Sequence, residues 1–188
     1  MNPQAAYGLL AHGLLCGALI SLLPLGNLRP RAALIASSIA LLAGIAPVLH
    51  AWFGPPSITL LLLALLCLPK RAHYPLSRRS AAFILTCALG FYLAANIWGK
   101  LFPYALGFQP QALLFALAGL VVLLWWQRQT LWLAILAIDL GVWLTGFFPN
   151  LWDVLFDPLL LVCCAFVVLR HALHGRFKRG IGPSARHR

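Results

Sequence analysis

A chain of 188 residues that is 62% apolar, with a mean hydropathy of +0.91 and only 9% charged side chains, lacks the polar coverage a water-soluble domain needs. The net charge of +11 is scattered between apolar segments instead of gathered into one surface, which argues against a nucleic-acid partner and for a polytopic membrane protein. The expected class is therefore all-α: a single transmembrane helical domain over residues 1–170 and a basic cytoplasmic tail over 171–188.

The first apolar segment spans residues 7–23. No basic residue precedes it and the hydrophobic pattern continues beyond it, so it reads as a membrane helix and not as a cleavable signal peptide. Breakers and two arginines between Pro24 and Arg31 end it. Segment two, 32–46, is rich in Ala, Ser and Gly, small residues that let helices pack closely inside a bilayer. Segment three, 57–68, has only a dozen residues and follows Pro55-Pro56. A helix that short reaches about 20 Å against a hydrocarbon core of about 30 Å, so a kinked or re-entrant third span is expected. Segment four, 81–98, runs outward to Asn96 and Trp98. Segments five, 111–126, and six, 131–145, are joined by a short turn at Arg128. Segment seven, 158–170, is again short, and the tail beyond it is expected to be partly disordered.

Thirteen of the fourteen basic residues fall on one side of this seven-helix layout, and only Lys100 falls on the other. The positive-inside rule then puts the N-terminus outside and the C-terminus in the cytoplasm, as in a bacterial inner membrane protein. The basic tail and loops would meet anionic lipid at the cytoplasmic face. Tryptophans gather at two levels, Trp125, Trp126 and Trp132 on the inner side and Trp52, Trp98, Trp143 and Trp152 on the outer, which reads as two interfacial belts. The five cysteines lie inside apolar segments with no metal or redox spacing and read as small buried hydrophobes.

A faint internal echo runs through the chain. With an offset of 102, Gly44, Pro47, Leu49 and Pro56 fall on Gly146, Pro149, Leu151 and Pro158, and Pro3-Gln4-Ala5 pairs with Pro110-Gln111-Ala112. Two units, 3–68 and 110–170, would flank a linking fourth helix as a 3+1+3 parallel repeat. This layout is similar to that of the SWEET and PQ-loop transporters, which also have seven helices and an outer N-terminus. The resemblance rests on topology and two Pro-Gln pairs. In that family the pairs are hinges within the bundle, whereas here they stand at helix starts. It implies a small transporter built from two three-helix units.

Only three residues are acidic. Asp139 falls in the middle of segment six, where a carboxyl group must be paired, protonated or turned to a polar interior. It is expected to serve as a proton or substrate relay or as a hydrogen-bonding group across helices, and no lysine or arginine at its depth offers an ion pair within the chain. Asp153 and Asp157, spaced i,i+4 between Pro149 and Pro158, would share a face of a short interfacial helix capped by Asn150. With Asn150 they could hold a cation or simply shape the turn. His12, His50, Asn96 and Asp139 would form a polar cluster only where four helices converge.

No nucleotide loop, zinc-protease helix or nucleophile elbow is written in the sequence, and no cofactor is indicated. The leading expectation is a non-catalytic accessory subunit packed in a larger membrane assembly or homo-oligomer. A small solute or ion transporter is the alternative, and a membrane enzyme acting on lipid or quinone, using Asp153 and Asp157, is the third.

Overall fold

Why a helix starts or stops is visible at nearly every boundary of the chain, whose computed structural model describes residues 2–69, 76–97 and 104–180. Helix α1, Pro3–Ser21, begins at Asn2, whose side chain accepts the Gln4 amide at 3.1 Å, with proline at the first helical position. A single 3-10 turn, Gly26–Leu28, leads into α2, Arg29–Leu42. Gly44, at φ +78°, turns the chain into α3, Ile45–Phe53, across a bend of 73°. A left-handed residue there favours glycine because it has no Cβ to clash. Helix α4, Ile58–Cys67, starts at Ser57, extended at φ −63° and ψ 153°, whose hydroxyl accepts the Leu60 amide.

Helix α5, Arg78–Ile97, follows Ser77, which accepts the Ser80 amide in the same way. Helices α6, Gln111–Trp126, and α7, Thr130–Leu144, are joined by a tight turn with Arg128 at φ 54°. Gly146, at φ +74°, then leads toward the short α8, Leu151–Leu155, and an extended Phe156 separates it from α9, Pro158–Gly180. The order of elements is thus the same on both sides of α5: two long helices, a left-handed glycine, a short helix, an extended linker and a further helix.

The described residues are all-helical, without strands. Small residues set the first contact. Gly8, Ala11, Gly13, Gly17 and Ala18 of α1 are buried, and a Cβ on Gly17 would lie 2.7 Å from the Ala33 carbonyl oxygen of α2. Helix α1 also touches α3 and α4, α4 meets α7 and α8, α7 packs on α6 and α8, and α9 lies along α5. The main apolar core gathers Leu60, Leu63, Ile84, Ile135 and Leu160, and a second joins Leu113, Leu117 and Leu136 to Leu151 and Leu155. At the inner end the Cys67 carbonyl of α4 accepts from Arg29 at 2.5 Å and from Ser21 at 3.2 Å, which closes that terminus.

Among the described residues, one helix, α1, is long and apolar enough to cross a membrane, or two if α2 and α3 count as one bent span; α4, α6, α7 and the first part of α9 are apolar but shorter. Two sequence expectations need correction. Helix α9 continues to Gly180, so residues 171–180 of the tail are helical: nothing stops the helix after Leu169, and basic residues suit its C-terminal end. Residues 181–188 lie outside the described residues, as do Lys70, Arg71, Trp98 and Lys100. The tryptophans do not form two uniform belts. Trp52, Trp125 and Trp126 are exposed, but Trp132, Trp143 and Trp152 are half-buried against the cores, where a large ring gains more packing than at a surface. The break expected at Pro55-Pro56 separates α3 from α4, and a further bend of 73° lies between α2 and α3.

Candidate functional site

The two halves of the chain meet at the starts of α4 and α9. Asp157, buried, accepts the Leu160 amide at 2.8 Å and so caps α9, while its other oxygen accepts the Ser57 amide at 2.7 Å. One carboxyl group therefore serves the first turn of one helix and the cap residue of another, 100 positions apart. Tyr7 of α1 braces the same junction: its hydroxyl donates to the Pro56 carbonyl at 2.8 Å and its ring stands edge-on to Phe147 and Phe148, at 5.6 Å each.

Asp153 and Asp157 do not share a helical face, because α8 stops at Leu155 and Phe156 is extended. Asp153 turns instead to the Tyr104 hydroxyl, which donates to its carboxyl group at 3.2 Å. Partial burial raises the Asp153 carboxyl above the ordinary range, and the Tyr104 hydrogen bond partly offsets this. Asn150 caps α8, as expected, by accepting the Trp152 amide at 2.9 Å, and its own amide donates to the Tyr104 carbonyl. Each of the three candidates is thus committed to a separate local task. The i,i+4 reading assumed a continuous helix, and the extended Phe156 after α8 breaks it.

His12 and His50 meet, with ring centroids 6.0 Å apart. His12 is fully buried and donates through Nδ1 to the Gly8 carbonyl at 2.7 Å, since a carbonyl can only accept. Its Nε2 and the Nδ1 of His50 have no partner among the described residues. Asp139 is not part of this pair, and the Asn96 side chain lies outside the described residues, so the four-residue cluster is not assembled as expected. The histidines sit between α1 and α3, whereas Asp139 belongs to α7.

Asp139, only 1% exposed, accepts the Thr59 hydroxyl of α4 at 2.6 Å through one oxygen. Its other oxygen, Oδ1, is buried with no partner among the described residues. This carboxyl group lines a cavity of about 420 Å³ bounded by α5, α6 and α7, with contributions from α4, α8 and α9. Leucines of α6, with Phe83, Ile84, Trp132 and Ile135, form its walls. Trp152, Leu155 and Phe156 of the α8 region form its outer floor, and Ser77, Arg79, Ser80, Gln127 and Gln129 stand at its inner end. The chamber is thus polar at the end formed by the start of α5 and the α6–α7 turn, and Thr59 with Asp139 adds a polar group to its otherwise apolar remainder. A space of this size and lining is within the roughly 300–1,000 Å³ of small-molecule sites.

Sequence reasoning marked Asp139 but missed Thr59 and Arg79. Thr59 carries one available signal, a hydroxyl in an otherwise leucine-rich helix. In the sequence Arg79 reads only as a topology charge. Trp152 lines the cavity, and Trp143 packs in the second apolar core. No family model, curated protein or solved structure matches this chain.

Proposed function

We propose that the chain is a multi-pass integral membrane protein that holds a lipid-class ligand, one long hydrocarbon chain with a polar end, inside its helix bundle. The observation that carries this reading is the cavity itself: apolar walls, a buried carboxyl oxygen without a partner at depth, and polar residues at the inner mouth. An unpaired buried oxygen costs about 1–3 kcal/mol, which a ligand hydrogen bond would offset.

The membrane part of the reading is supported by the outer surface. Leu42, Trp52, Phe115 and Trp126 are each 80% exposed or more. In water such a coat promotes aggregation; in hydrocarbon it matches its solvent. Seven crossings follow if α2 with α3 counts as one, alongside α1, α4, α5, α6, α7 and α9, with α8 at the outer turn. The charge asymmetry orients the cavity mouth toward the cytoplasm and the anionic lipid there. The repeated order of elements and the paired left-handed glycines support two related units, 3–68 and 110–170.

The test is native mass spectrometry of protein extracted from membranes in mild detergent. One chain-type molecule per protein is expected, released by organic solvent and absent from Leu120→Trp, which fills the chamber from its wall. Protein that carries nothing, and takes up no added long-chain amphiphile, refutes the reading.

A second reading, an accessory subunit of a larger assembly, is favoured by α6. That helix leaves Phe115, Val122, Trp125 and Trp126 outside, so a partner helix has a broad apolar face to cover. A monodisperse monomer in mild detergent, fully active in cells lacking other membrane partners, would count against it.

A further inference from the structure

The cavity has two poles, and their chemistry differs. At the inner mouth stands Arg79, a permanent cation with a forked set of donors suited to oxyanions, beside the start of α5. Ser77 fixes the geometry there: its hydroxyl accepts the Ser80 amide at 3.1 Å and lies 2.9 Å from the Ser80 hydroxyl. The Arg78 and Arg79 amides, in the first turn of a helix, have no acceptor within it, and the positive end of the helix dipole adds to the same field. No carboxylate lines this end of the chamber.

At the other pole Thr59 already donates to Asp139, a residue of the cavity lining whose Oδ1 is buried and has no partner among the described residues. Helix α7 measures the gap. From the level of Gln129 to that of Asp139 is ten residues along α7, about 15 Å at 1.5 Å each, half of a hydrocarbon core of about 30 Å. The chamber of about 420 Å³, lined mainly by apolar side chains, has room for a hydrocarbon chain.

We propose that the ligand is a bipolar single-chain amphiphile: an acid group, carboxylate or phosphate monoester, bound at Arg79, and a hydroxyl near the far end of the chain that donates to Asp139. The proposal rests on the reading of the cavity as a ligand site and adds the polarity of what fills it. The acid end stays at the cytoplasmic surface, where its charge remains hydrated, and the second polar group replaces the missing partner of a mid-bundle oxygen. A plain hydrocarbon would leave that oxygen unpaired. A cationic head would meet Arg79.

The test uses the full chain in nanodiscs of neutral lipid, with binding of four probes followed by calorimetry: dodecanol, dodecanoate, dodecyl phosphate and 12-hydroxydodecanoate. An acid probe is expected to bind about tenfold tighter than dodecanol, as a charge-assisted contact allows, and the tighter of dodecanoate and dodecyl phosphate identifies the head. Arg79→Gln, at an exposed position, should remove that advantage and leave dodecanol unchanged. The hydroxylated acid should bind tighter than dodecanoate, and Asp139→Leu should reverse this order. Equal binding of acid and alcohol, no effect of Arg79→Gln, or a wild-type preference for the plain chain over the hydroxylated one overturns the proposal while the chamber remains a ligand site. Failure of all four probes overturns both. Should Asp139→Leu not fold, the wild-type order and Arg79→Gln still decide.

Discussion

Replacing Asp157 with alanine removes one carboxyl group and strands two amides, that of Leu160 in the first turn of α9 and that of Ser57 before α4. Both bonds are buried, at 2.8 and 2.7 Å, so water cannot replace the lost acceptor. A buried donor left unpaired costs about 1–3 kcal/mol, and the loss of a helix cap alone about 1. The two together should cost about 3–4 kcal/mol, equivalent to a folded-to-unfolded ratio lower by more than a hundredfold. Asp157→Asn separates the contributions. Its single carbonyl oxygen can still cap α9, but its amino group then faces the Ser57 amide, donor against donor, so about half or more of the loss should remain. Equilibrium unfolding in mixed detergent micelles, followed by tryptophan fluorescence, would measure the series, with wild type above Asn and Asn above Ala. An alanine variant that loses less than about 1 kcal/mol, or an asparagine variant equal to wild type, would refute the claim that this side chain ties the two halves together.

Gly17→Leu should separate α1 from α2, because even the Cβ would press on the Ala33 carbonyl and the Ser37 hydroxyl; about 1–3 kcal/mol is expected in the same unfolding assay. Tyr7→Phe keeps the edge-on contacts to Phe147 and Phe148 but loses the bond to the Pro56 carbonyl, so about 1 kcal/mol should go without a change in fold by circular dichroism. Asp153 gives a pH dependence. Its folded carboxyl is raised above the unfolded value by burial, so the folded state binds the proton more tightly and this group favours folding more as pH falls through the folded value. Asp153→Asn should therefore raise the melting temperature at neutral pH, with the gain fading below about pH 4, the ordinary carboxylate range; a gain that grows on acidification would reverse the assigned sign.

Much of the secondary structure was legible because its causes are local. The expected segment 111–126 coincides with α6, and 57–68 differs from α4 by one residue at each end. Ser57 and Asn150 cap helices through amides two or three residues away, and left-handed glycines need only their own backbone. The site was legible in one residue, Asp139, because a lone carboxyl group in an apolar run stands out wherever the run packs. The cation-site reading of Asp153 and Asp157 failed at one extended residue, Phe156, which spacing alone cannot reveal.

The sequence by itself determined the all-helical class and most places where helices break, since hydropathy, caps and turn residues act over a few positions. Only the tertiary structure decided that Thr59 faces Asp139 across 80 residues, that Asp157 reaches Ser57, and that His12 meets His50. The physical reason lies in helices such as α6 and α7, which are apolar nearly all round and so carry no amphipathic stripe to say which face turns inward. With no face written in the pattern, close approaches such as that at Gly17, together with buried hydrogen bonds between halves, set the rotations and leave a chamber between the helices.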